Sequence, residues 1–202
     1  MSCRRQIVPM SMAAAVSILA GFLSPTAAVA EDKPAQTPAP AASEPAKPSD
    51  PFGEEVTLTG KTIVFFKGNG TWDSAFETIT DGFKTVNDFL GKAGIKPAGP
   101  LMTIYTSTDD TGFQFQAAVP VDETPKDAPK GDLAVGKSPG GRAYKFVHRG
   151  SYDSMDTTYE AITNFLDEKG IDAKESFVEE YITDPLKTPE DKLVVEIYVP
   201  IK

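Results

Sequence analysis

Two stretches of this chain, Lys61 to Val121 and Arg142 to Ile201, read as copies of one unit. The first runs FFKGNGTWDS, a segment ending NDFLGKAGI, then TIYTSTDD and FQAAVPV. The second runs FVHRGSYDS, a segment ending TNFLDEKGI, then EEYITDPL and VEIYVPI. Gly70 aligns with Gly150, Trp72 with Tyr152, Gly94 with Gly170, Tyr105 with Tyr181, and Val119-Pro120-Val121 with Val199-Pro200-Ile201. Two copies are too few for a solenoid, in which each repeat buries its face on the next. The repeat therefore predicts a pseudo-twofold pair sharing one core.

Within each copy the apolar spacing alternates between helix and strand. Trp72, Phe76, Ile79, Phe83, Val86 and Leu90 step by threes and fours, one stripe of an amphipathic helix over roughly 73–92. Met155, Tyr159, Ile162 and Leu166 repeat the stripe over roughly 154–169, a helix four residues shorter. Gly94 and Gly170 supply the stops, and Asp73-Ser74 and Asp153-Ser154 offer N-cap oxygens. Strands are expected over 56–59, 61–67, 101–106, 113–121, 132–137, 142–149, 177–183 and 193–201, with a hairpin turn at Ser138-Pro139-Gly140-Gly141. Each copy is then strand, strand, helix, strand, strand: an α+β chain of two ββαββ repeats, 54–121 and 132–202. Two helices cannot cover both faces of eight strands. They should pack on one face and leave the other free.

The ends restrict location and chemistry. Arg4 and Arg5 precede an apolar stretch from Ile7 to Leu23, and Ala28-Val29-Ala30 forms an A-x-A site before Glu31. Residues 1–30 are thus expected to be a cleaved secretory signal, placing the mature chain in the periplasm or outside the cell, with no stable membrane insertion. The sole cysteine, Cys3, leaves with it, which excludes disulfides and thiolate chemistry in the mature chain. One histidine, His148, excludes a histidine-based zinc cluster. Residues 31–52 are a Pro/Ala-rich linker, too poor in apolar side chains to order themselves; 53–202 form the folded domain. Losing Arg4 and Arg5 takes the formal charge from −9 to −11, a balance that repels phosphate backbones and argues against nucleic-acid partners. GKSPGG has the wrong spacing for a phosphate loop, and no cofactor is implied.

The last strand carries the most pointed feature. Leu193, Val195, Ile197 and Val199 share an aliphatic face suited to the helices, while Val194, Glu196, Tyr198 and Pro200 take the other. A glutamate flanked by Val194 and Tyr198 in mid-strand is either solvated on an open sheet or part of a site. Its counterpart in the first copy is Gln116, a neutral amide, so the charge is one-sided, as a site for one cationic or hydrogen-bonding ligand requires. Tyr105 and Tyr181 occupy equivalent neighbouring strands. They either close the edge of the sheet or offer ring faces to a cation beside Glu196. Trp72 and Tyr152 begin the helices, as core, rim or ligand contacts. His148 is expected to serve helix entry.

Gly150, Tyr152, Tyr159, Phe165-Leu166, Gly170, the run Glu179 to Pro185 (EEYITDP) and the run Val194 to Ile201 (VVEIYVPI) resemble the GyrI-like small-molecule binding domain, strongly in the second copy and weakly in the first. The resemblance implies one antiparallel eight-stranded sheet of two pseudo-symmetric halves, two helices on one face and a ligand groove on the other. It implies that the last-strand glutamate, here Glu196, sits in that groove with Tyr181 as its aromatic neighbour and attracts amphipathic, often cationic compounds. The resulting expectation is a secreted binder of such compounds, contacted by Glu196, Tyr181, Tyr198, Tyr105, Gln116 and Trp72. Some relatives hydrolyse reactive small molecules, so a groove hydrolase using Glu196 with Tyr181 is the alternative. A haem or tetrapyrrole binder with His148 as imidazole ligand, by analogy with SOUL-type proteins, is the third reading.

Overall fold

The computed structural model describes residues 52–202; the expected signal and all but the last residue of the expected linker lie outside them. The chain forms β1 (Glu54–Leu58), β2 (Thr62–Thr71), α1 (Ala75–Ala93), β3 (Leu101–Thr108), β4 (Gly112–Pro120), β5 (Leu133–Lys137), β6 (Gly141–Gly150), α2 (Met155–Lys169), β7 (Phe177–Tyr181) and β8 (Leu193–Pro200). The eight strands make one sheet in the order β1-β6-β8-β7-β3-β4-β2-β5, antiparallel at every pairing. The order is unchanged when each strand of one half is exchanged for its counterpart in the other. The helices differ by four residues, 19 against 15. Among the described residues, no helix is long and apolar enough to cross a membrane.

The expected hairpin at Ser138–Gly141 does not form. β5 pairs with β2, and β6 pairs with β1 and β8, so each half lends its first strand to the other. The connections then force the sheet to curl. β1 and β2 stand at the first and seventh places, joined only by residues 59–61. Those residues reach at most ~14 Å, whereas six flat inter-strand spacings come to ~29 Å. The β5–β6 link makes the same demand. Lys61 and Ser138 lock the two crossings together: Lys61 N donates to Ser138 Oγ at 2.9 Å and Ser138 N to Lys61 O at 2.9 Å. The curl buries Ile63, Phe65, Met102 and Ile104 to 7% exposure or less on the face that no helix covers.

The main core lies between the other face and the helices. Val64, Phe115, Ala117, Val195 and Ile197 from the sheet meet Ile79, Phe83, Val86 and Leu90 from α1. Gly82 lets α1 approach closely: a Cβ there would stand 2.8 Å from Cβ of Ala117. α2 is held more lightly, fully burying only Met155 and Ile162. Both helices stop at left-handed glycines, Gly94 at φ 70° and Gly170 at φ 63°. They do not start as expected, since Ser74 and Ser154 make no capping bond. A short 3-10 turn precedes each helix, and in the second half the capping oxygen is Ser151 Oγ, which accepts from Asp153 N. Phe52, assigned to the linker by composition, lays its ring 5.1 Å from that of Phe146 and 6.0 Å from that of Phe165.

Candidate functional site

The six residues expected to share one site are divided between the two faces of the sheet. Register decides this. Glu180 pairs with Glu196, and Val178 with Tyr198, on the face away from the helices; Glu179 pairs with Ile197, and Tyr181 with Val195, on the helix face. Glu196, Tyr198 and Gln116 therefore lie on the helix-free face. Tyr181 and Tyr105, each 1% exposed, lie under the helices. The expected grouping of Tyr181 and Tyr105 around Glu196 is thus corrected, and a hydrolytic pair of Glu196 with Tyr181 would have to work through the sheet. Glu196 is also already engaged. Tyr198 donates its hydroxyl to Oε2, and Lys145 Nζ lies 3.9 Å from Oε1. Proximity to Glu196 adds to burial in raising the Tyr198 hydroxyl far above its usual range.

The carboxylate that does meet the tyrosines is Glu179. It is fully buried at the centre of the sheet, across the β3–β7 pairing from Thr103. Four of the six tyrosines surround it. Tyr159, from α2, donates to Oε1 at 2.6 Å and Tyr181 donates to Oε2 at 2.8 Å. Tyr105 shares a 2.8 Å hydroxyl bond with Tyr152, at the entry to α2. No ion pair among the described residues involves Glu179. Loss of hydration pushes its pKa up to about 7, against the opposing pull of the Tyr159, Tyr181 and Tyr105 hydroxyls. Burial, and then the nearby Glu179 charge, raises all four tyrosines well above their ordinary value.

Further aromatic rings pack on these tyrosines. Tyr105 stacks on Phe177 at 4.3 Å, and Tyr159 meets Phe177 edge-on at 5.2 Å. Trp72, 43% exposed, stacks 6.4 Å from Tyr105 and donates Nε1–H to Asp109 O at 2.9 Å. Between the starts of the two helices lies a cleft of about 230 Å³, walled by Trp72, Phe76, Tyr152 and Glu190. Tyr152 joins this cleft to the buried cluster, since it lines the cleft and its hydroxyl reaches that of Tyr105. His148 is 3% exposed with both ring nitrogens engaged, Nδ1 with Thr158 Oγ1 at 2.8 Å and Nε2 with Ser151 O at 3.1 Å. It secures the entry to α2 and presents no open nitrogen to a haem iron.

Glu179 was not among the expected site residues, although the sequence contained a signal for it. It stands two places before Tyr181 and so shares its face, and its counterpart in the first copy is Thr103. The one-sided charge noted for Glu196 and Gln116 therefore recurs here, at a position with no exposed surface.

A curled eight-stranded antiparallel sheet with two helices on one face is consistent with the fold of a small-molecule binding domain. The chain belongs to the GyrI-like small molecule binding domain family, whose model matches residues 54–202. No curated protein matched the chain. Among solved structures it is similar to the C-terminal domain of EcmrR, at 16% identity and TM-score 0.64 over 74% of this chain and 96% of that one. In the EcmrR–DNA complex the match spans only 57% of the EcmrR chain, at 16% identity and TM-score 0.63. It is also similar to a hydrolase encoded by lin2189 of Listeria innocua, at 13% identity and TM-score 0.55 over 75% and 92% of the two chains. A third is SAV2435 bound to tetraphenylphosphonium, at 16% identity and TM-score 0.54 over 74% and 93%. At these identities the likeness establishes the fold.

Proposed function

We propose that the domain binds a small amphipathic organic cation, with Glu179 as the counter-ion and the rings of Tyr105, Tyr159 and Phe177 as the walls. The observation that carries this reading is a fully buried carboxylate with tyrosine hydroxyls for neighbours and no cation paired to it among the described residues. An unpaired buried charge is unfavourable, and a positive ligand among ring faces relieves that penalty. Glu196, the anchor suggested by the sequence, already has Lys145 and Tyr198. The tetraphenylphosphonium held by SAV2435 is a cation of this kind. Entry runs through the cleft between the helix starts and requires Tyr152 and the lightly held α2 to give way.

Titration of tetraphenylphosphonium and of neutral tetraphenylmethane, solubilised in detergent, tests the assignment. Glu179→Gln keeps the shape and removes the charge, so cation affinity at pH 8 should fall by about 1–3 kcal/mol, roughly 5- to 150-fold, with the neutral compound affected far less. Glu196→Gln should leave the cation's affinity nearly unchanged. The reverse pattern returns the anchor to Glu196.

We further infer that the domain works outside the cytoplasm, from the basic start, apolar stretch and Ala28-Val29-Ala30. The exported protein should have the intact mass of a chain beginning at Glu31. A mass that includes residues 1–30 removes this part of the reading.

A further inference from the structure

A second cavity, of about 320 Å³, opens on the face away from the helices. Met102, Val178 and the Tyr198 ring contribute apolar surface, and the locked crossings at Lys61 and Ser138 form one rim. Lys61 Nζ reaches from that rim to Glu180 Oε1 at 2.7 Å, and the Glu180 side chain is only 12% exposed. Lys145, which also lines the cavity, lies 3.0 Å from Glu54 Oε2. Every charge in the cavity wall thus has an opposite partner.

We propose that this cavity binds a small zwitterion with an apolar body, its ammonium and carboxylate inserted between Glu180 and Lys61. A ligand carrying only a positive charge takes Glu180 and strips Lys61 of its partner. One carrying only a negative charge takes Lys61 and leaves a nearly buried carboxylate unpaired, which is strongly unfavourable. A neutral molecule leaves the pair closed and gains only the apolar floor. A zwitterion replaces both partners at once, so the wall discriminates by charge pattern rather than by net charge. The site is independent of Glu179, which points to the opposite face from the adjacent Glu180.

Phenylalanine, phenethylamine and 3-phenylpropionate share one ring and differ in charge pattern, and serve as probes of the full-length protein by NMR. Phenylalanine at millimolar concentration should shift the methyl signals of Met102 and Val178, with the amine and the acid weaker at this site by about tenfold or more. Lys61→Met and Glu180→Gln should each weaken phenylalanine to a similar degree while tetraphenylphosphonium binds as before. The double exchange Lys61→Glu with Glu180→Lys keeps an ion pair and should keep phenylalanine binding, which separates loss of the site from loss of the fold. The proposal is overturned if phenylalanine shifts neither methyl up to its solubility limit. It is overturned equally if the amine binds as tightly, or if the shifts fall on Tyr105 and Tyr159 instead.

Discussion

Raising the pH from about 4.5 to 7 should weaken this fold, and Glu179→Gln should remove most of that loss. The sign follows from proton binding. The unfolded chain releases the Glu179 proton near the ordinary carboxylate value of 4.5, whereas the folded chain holds it up to about 7. Between those values the native state binds the extra proton, so its stability falls as pH rises. The contribution is fully present below the unfolded value and is lost as pH climbs through the folded one. A separation of that size corresponds to a loss on the order of 3 kcal/mol. Glutamine resembles the neutral acid in shape and hydrogen bonding, so the variant should nearly match the wild type at pH 4.5 and exceed it at pH 8. Urea midpoints of both proteins across this range provide the check. Parallel pH profiles would mean that Glu179 ionises in the folded state as freely as in water.

Phe83→Ala should destabilise the protein by about 3–5 kcal/mol, the range for a large aromatic removed from a core that cannot close over the gap. Phe83 is fully buried in the middle of α1, and its ring meets that of Tyr181 edge-on at 5.4 Å. It thus supports both the core and one of the hydroxyls on Glu179. Denaturant unfolding at pH 7 reads the loss directly. A midpoint unchanged within error would show that α1 presents a different face to the sheet.

The elements were legible because each rests on short-range chemistry. The 3.6-residue stripe of Ile79, Phe83, Val86 and Leu90, the alternation of Leu193 to Val199 and the stops at Gly94 and Gly170 each act within a few residues of chain. The expected and observed helices consequently agree to within a turn. Register and strand exchange were not legible. β5 and β6 carry a strong turn signal between them, yet the curl draws β5 to β2, a pairing set by the closure of the whole sheet. Alternation places Glu179 with Tyr181 and Glu196 with Tyr198. It could not say which of the two sets on β7 faces the same way as Glu196, because a one-residue shift between neighbouring strands exchanges the faces. The seclusion of Glu179 depends on α1, which lies far from it in sequence, as well as on the nearby α2.

The central claim is that the buried carboxylate becomes the ligand's counter-ion, and counting protons tests it most directly. At pH 6 the empty site should hold its proton in about nine molecules of ten, given a folded value near 7. A bound cation requires the ionised form. Calorimetric titration of tetraphenylphosphonium in two buffers of different ionisation enthalpy should therefore report release of about 0.9 proton per cation bound by the wild type, and none by Glu179→Gln. Binding without proton release, or equal release by the variant, would contradict Glu179 as the anchor of the site.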